Sequence, residues 1–117
     1  MSKLREEFDA PPFQRHLGIE IETLEVGKAR LRLPITPFCL NVNGRLHGGV
    51  VTSLLDSIMG LTIRSQRDTR IATVSLTTQF LAPADQGDVL FATGTIIPQG
   101  KRIISIEAVV NDQQERI

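Results

Sequence analysis

The stretch GGVVTSLLDSIMGLTI between His47 and Arg64 constrains the fold more than any other, because Asp56 is its sole charge. Val50, Val51, Leu54, Leu55, Ile58, Met59 and Leu61 recur at the spacing of about 3.6 residues that places them on one broad helical face. The opposite face would hold Thr52, Ser53, Asp56 and Gly60. A helix whose back meets water ordinarily carries Lys, Glu or Arg there. This one is therefore expected to be covered on both sides, by a sheet across one face and a second subunit over the other.

The rest of the chain supplies the sheet. LGIEIETLE (17–25) and KARLRLPIT (28–36) alternate apolar and polar residues around Gly27, which predicts a hairpin. Residues 37–47 are expected as a loop, marked by Pro37, Asn41, Asn43 and Gly44. After the helix, strands are predicted over 71–81, 89–97 and 102–110, separated by Pro83, Gly87, Pro98 and Gly100. The order β-β-α-β-β-β gives an α+β class with a mostly antiparallel sheet and one long central helix. At 117 residues the chain suits a single domain over 1–117, with residues 1–12 as a flexible polar lead ending at Pro11 and Pro12.

Composition excludes several functions. Lys plus Arg and Asp plus Glu number 13 each, so neither nucleic acid nor an anionic membrane is indicated as a partner. The single cysteine, Cys39, can form no internal disulfide or metal pair, which favours a reducing, cytoplasmic setting. MSKLREEFDAPPF lacks the apolar core of about 7–15 residues found in signal peptides. No run approaches the roughly 18 apolar residues of a membrane span, so a soluble protein is expected. Trp and Tyr are absent and Phe occurs five times, which argues against platforms for stacking bases or sugars. His16, His47 and Cys39 make no zinc site at their spacings, and no glycine-rich phosphate loop is present.

Chemistry concentrates where the helix should begin. The first N–H groups of a helix have no internal partner, and at Gly48 and Gly49 they are open to close approach by a substrate. Such donors stabilise negative charge developing on a carbonyl under attack. The alternative is that the two glycines merely form a tight helix start. Asp56 in a largely apolar groove is suited to act as general base toward water or as nucleophile, against the plainer reading of a solvated helix residue. Gly48 and Asp56 lie about 12 Å apart on one helix, at roughly 1.5 Å per residue, so they cannot serve the same carbonyl and water. If they cooperate, Gly48 of one chain meets Asp56 of another, and activity requires a dimer. Asn41 and Asn43 can donate amide N–H groups, although loop asparagines commonly form turns. His47 is either a substrate contact or a brace for the loop, and His16 is read as structural.

Taken together, Asn41, His47-Gly48-Gly49 and Asp56 in that order resemble the hotdog-fold thioesterases, specifically the PaaI-like branch named for phenylacetate degradation. TVSLTTQFLAPA (73–84) is similar to the strand that follows the helix in that family, and LGIEI, GDVL and QGKR also fit. The resemblance runs from about Phe13 to Asp112. It implies a curved antiparallel sheet wrapped around one long helix, paired as a homodimer and often again as a homotetramer. It implies that the Gly48 N–H and the Asn41 side chain hold a thioester oxygen, that Asp56 of the neighbouring subunit activates water or attacks directly, and that Thr73 helps orient the water. His47 and Gly49 would line the substrate. The substrate would be an acyl-CoA, with coenzyme A as part of it and no metal or separate cofactor. Asp at position 56, where many related enzymes carry Glu, favours the PaaI-like branch. The chain stops at NDQQERI, about where relatives continue through a further strand segment, so a trimmed C-terminus is one reading.

Hydrolysis of a small aryl- or acyl-CoA is the leading expectation. A non-catalytic hotdog module that binds acyl-CoA is the alternative. A hotdog dehydratase ranks last, since the His and acid pair of that chemistry is missing from the sequence.

Overall fold

Four antiparallel strands and one long helix emerge from this pattern in the computed structural model, which describes residues 2–66, 86–97 and 105–112. In chain order the elements are α1 (Ser2–Asp9), α2 (Pro12–Leu17), β1 (Glu20–Glu25), β2 (Lys28–Pro34), a 3-10 turn (Pro37–Cys39), α3 (Gly48–Gln66), β3 (Val89–Ile97) and β4 (Ser105–Asp112). The sheet order is β1-β2-β3-β4, and α3 packs against β2, β3 and β4 and touches β1. The strand predicted over 71–81 lies outside the described residues.

Alternation decides which face meets the helix. Along β2, Ala29, Leu31 and Leu33 are completely buried while Lys28, Arg30 and Arg32 point outward. The register pairs Leu31 with Ala92 and Leu33 with Leu90, so the inward rows of β2 and β3 coincide. Val110 of β4 pairs with Ala92 and extends that row. From α3, Val50, Val51, Leu54, Leu55, Ile58 and Leu61 close over it. Each such aliphatic side chain contributes about 1.5–3 kcal/mol on leaving water. Met59 is partly buried against this core, and Ile63, outside the expected face, is buried as well.

β1 departs from simple alternation. Its register with β2 shifts between Ile21 and Thr23, which inserts Glu22 as a bulge and turns Leu24, rather than Thr23, toward the interior. Glu20, Glu22, Thr23 and Glu25 remain exposed on this outermost strand of the described sheet.

The N-terminal segment corrects an expectation. Residues 2–9, expected within a flexible polar lead, form a helix, and Leu4 and Phe8, one helical turn apart, pack against the core. Glu7 pairs with Arg64 near the end of α3. Leu17, taken as the first residue of a strand, instead closes α2. That helix has Pro12 at its first position and ends at Gly18, whose φ of 85° is left-handed. The N–H of Ile19 returns to the Gln14 carbonyl at 3.0 Å. His16 rests against the Phe38 ring with 4.7 Å between centroids, a packing role.

Candidate active site at the start of the central helix

The loop before α3 is a miniature hairpin built around Asn41. Leu40 and Leu46 form an isolated antiparallel bridge. The Asn41 N–H donates to the Arg45 carbonyl at 2.7 Å, and its carbonyl accepts from Gly44 at 3.0 Å. The Asn41 side-chain oxygen accepts from the N–H groups of Asn43 and Arg45 at 2.9 and 3.1 Å. Two N–H donors on that oxygen settle which end of the amide is which, and they leave the NH₂ as the group still able to donate. Turn formation and donation to a ligand are thus compatible in one residue. Asn43 enters this network through its backbone N–H.

The loop then delivers the chain to α3 in a fixed way. His47 N–H donates to the Cys39 carbonyl at 2.8 Å, which anchors the residue preceding the helix. Val50 N–H returns to the His47 carbonyl at 3.0 Å. Gly49 N–H donates to His47 Nδ1 at 2.8 Å, so the imidazole acts as a side-chain cap. Of the four N–H groups at the helix start, those of His47, Gly49 and Val50 have acceptors. The N–H of Gly48 is the one with no acceptor among the described residues. It sits at the positive end of a 19-residue helix.

The structure therefore gathers Asn41, His47, Gly48 and Gly49 at one end of α3. Asp56 is exposed on the back of the same unbroken helix, two turns further on, about 12 Å from Gly48 by helical rise. Thr52, Ser53, Ser57, Met59 and Gly60 around it are each partly buried in a single copy of the chain. Thr73 lies outside the described residues. Sequence reasoning left His47 as either a substrate contact or a loop brace, and the resemblance put it with Gly49 against substrate; the bond between them was not foreseen, because the direction of a ring nitrogen leaves no trace in residue spacing. The signal available was a potential acceptor side chain immediately before a helix.

Known proteins carry the same arrangement of elements. Residues 43–117 match the family model described as the thioesterase superfamily. Acyl-coenzyme A thioesterase PaaI of Escherichia coli K12 is 35% identical over 103 residues, covering 86% of this chain and 72% of the relative. The solved structure of the E. coli PaaI protein from the phenylacetic acid degradation operon superposes with a TM-score of 0.86 at 30% identity, covering 98% of this chain and 86% of that one. A hypothetical thioesterase from Streptococcus pneumoniae TIGR4, solved with coenzyme A, gives a TM-score of 0.79 at 26% identity over 84% of this chain and 76% of its own. The chain belongs to the thioesterase superfamily, in its PaaI-like branch, and the sheet packed on one long helix is the hotdog fold. No helix among the described residues is long and apolar enough to cross a membrane.

Proposed function

We propose that the protein hydrolyses the thioester of a small aryl- or acyl-coenzyme A, releasing the free acid and coenzyme A. The observation that carries this reading is the distribution of donors at the start of α3, where every early amide but that of Gly48 has an acceptor among the described residues. A thioester oxygen would accept from the Gly48 N–H and from the Asn41 side-chain NH₂. Both donors are fixed before substrate arrives, so they need no reorganisation as negative charge builds on that oxygen. The relative named for acyl-coenzyme A hydrolysis and the fold neighbour solved with coenzyme A support this substrate class. The phenylacetic acid operon of the E. coli neighbour supports a small aryl group among the acyl chains.

Water is the second reactant. The carboxylate of Asp56 takes a proton from water as the water oxygen bonds to the carbonyl carbon, and collapse of the tetrahedral intermediate breaks the C–S bond, the proton passing from Asp56 to the departing sulfur as the thiol leaves. Direct attack by the carboxylate, followed by hydrolysis of the resulting anhydride, reaches the same products. Separation along α3 excludes Gly48 and Asp56 of one chain from a shared carbonyl. In this proposal the Asp56 of a second subunit faces the Gly48 end of the first, and the back of the helix, on which Asp56 is the sole charge, becomes the subunit contact. Thr73 orients the water, while His47 and Gly49 border the substrate. No metal takes part, and the setting is cytoplasmic.

The test is Asp56→Asn assayed for thiol release across aryl, short, medium and long acyl-CoA substrates. Turnover should fall about a hundredfold or more, the usual range for loss of a general base, with the oligomer intact. Undiminished hydrolysis removes Asp56 from the mechanism. Tight acyl-CoA binding by the wild-type protein without any turnover would identify a binding module instead.

A further inference from the structure

His47 and Gly49 form a unit whose effect falls on their neighbour. The imidazole Nδ1 accepts the Gly49 N–H at 2.8 Å, and this places the ring directly over the second glycine. A Cβ built at Gly49 would stand 2.9 Å from Nδ1 and 3.0 Å from Cε1 of that ring. Space for the imidazole therefore depends on the absence of a side chain at position 49. Acceptance at Nδ1 also selects the neutral tautomer that carries its proton on Nε2. His47 further donates its own N–H to Cys39 and accepts from Val50 through its carbonyl, so three of its polar atoms are engaged in shaping the helix start.

We infer that His47 is a positioning residue: by capping the Gly49 amide through Nδ1 it rigidifies the first turn of α3 and leaves the Gly48 amide as the single main-chain donor facing the thioester oxygen. This rests on the proposed thioester hydrolysis, but it assigns to His47 a role other than contact with the substrate. Without the imidazole, Gly49 would present a second unsatisfied donor beside the first, and both would exchange between water and substrate. Gly49 is then required for the ring rather than for the ligand.

Two measurements decide the matter. In the intact wild-type protein, nitrogen NMR of the imidazole in mildly alkaline buffer should show His47 as the Nε2–H tautomer. The Nδ1–H tautomer would overturn the inference whatever the activity. Kinetics then compare three variants, because the Asn side-chain oxygen reaches the place of Nδ1 whereas the Gln amide reaches that of Nε2. His47→Ala and His47→Gln should each lower kcat about tenfold with little change in KM, as loss of a cap would weaken stabilisation specific to the transition state. His47→Asn should recover kcat to within about threefold of wild type, since Asn caps helices well. Rescue by Gln in place of Asn assigns His47 to direct contact through Nε2 and overturns the proposal, as does His47→Asn no faster than His47→Ala. A wild-type protein with the expected tautomer and no acyl-CoA hydrolysis would sink the proposed reaction while leaving the cap in place.

Discussion

The two ends of α3 are built for opposite purposes. At the C-terminal end the hydroxyls bond inward: Thr62 donates to the Ile58 carbonyl at 2.7 Å, and Ser65 donates to the Thr62 carbonyl at 2.6 Å. Ser65 also accepts the N–H of Gly27 at 2.9 Å, tying the β1–β2 turn to the helix. Beside them Gly94 of β3 comes so near that a Cβ would lie 2.4 Å from the Thr62 hydroxyl. At the N-terminal end every early donor except that of Gly48 has an acceptor among the described residues. One end holds the helix on the sheet, and the other keeps a polar group available. The difference shows how one unbroken helix can be tied down at one end and leave an amide unengaged at the other.

The strongest way to break this contrast is Gly48→Pro. Gly48 is the first helical residue, the position where proline is best tolerated, so the change deletes the N–H with little cost to the helix. It should reduce kcat by about a hundredfold to a thousandfold, as removal of one oxyanion donor does, with Tm nearly unchanged. A variant that turns over normally would show that the open amide is not used. Co-expression of Gly48→Pro with Asp56→Asn sharpens the point, because mixed dimers would contain one intact site. If the site is shared, a statistical mixture should regain about a quarter of wild-type activity, whereas a site within one chain regains none.

The next effect falls at the opposite end. Gly94→Ala should destabilise the fold by about 1–3 kcal/mol, through overpacking against Thr62 and the Ile58 side chain and carbonyl. Thr62→Ala removes the nearest of these atoms, so in denaturant titrations the double variant should lose less than the sum of the two single changes. Additive losses would mean that the close approach is not what constrains Gly94. The smallest change is Ser65→Ala, which leaves the Gly27 N–H without its acceptor and should cost about 1 kcal/mol. Its kcat should stay at the wild-type value; a parallel drop would show that the two ends are coupled.

Much of this was readable because the driving pattern is local. The strand predicted over 89–97 agrees with β3 to the residue, and the predicted helix start agrees with α3, since alternation and helical spacing fall into step with burial. β2 ends at Pro34, two residues before its predicted limit, and β4 runs to Asp112, two residues past the predicted 110, while 102–104 lie outside the described residues. The missed helices lie at the N-terminus, and in the first of them charged residues outnumber apolar ones. Leu4 and Phe8 at a separation of four, then proline at the start and glycine after the end of α2, were the signals for those helices. The bulge in β1 was also visible as Ile19, Ile21 and Leu24, a spacing that slips from two to three. The cap by His47 was not, because it depends on the orientation of the ring, which residue spacing does not record.

The kinked, glutamate-lined β1 has a consequence for how copies can join. A sheet with two receptive margins can recruit strand after strand and grow into a filament. Among the described strands, the outermost β1 carries Glu20, Glu22 and Glu25, the first two paired with Arg32 and Arg30 of β2, and its irregular spacing makes it a poor template for newcomers. A further strand meeting β1 of the described sheet would therefore find charge and a broken register in place of a regular ladder.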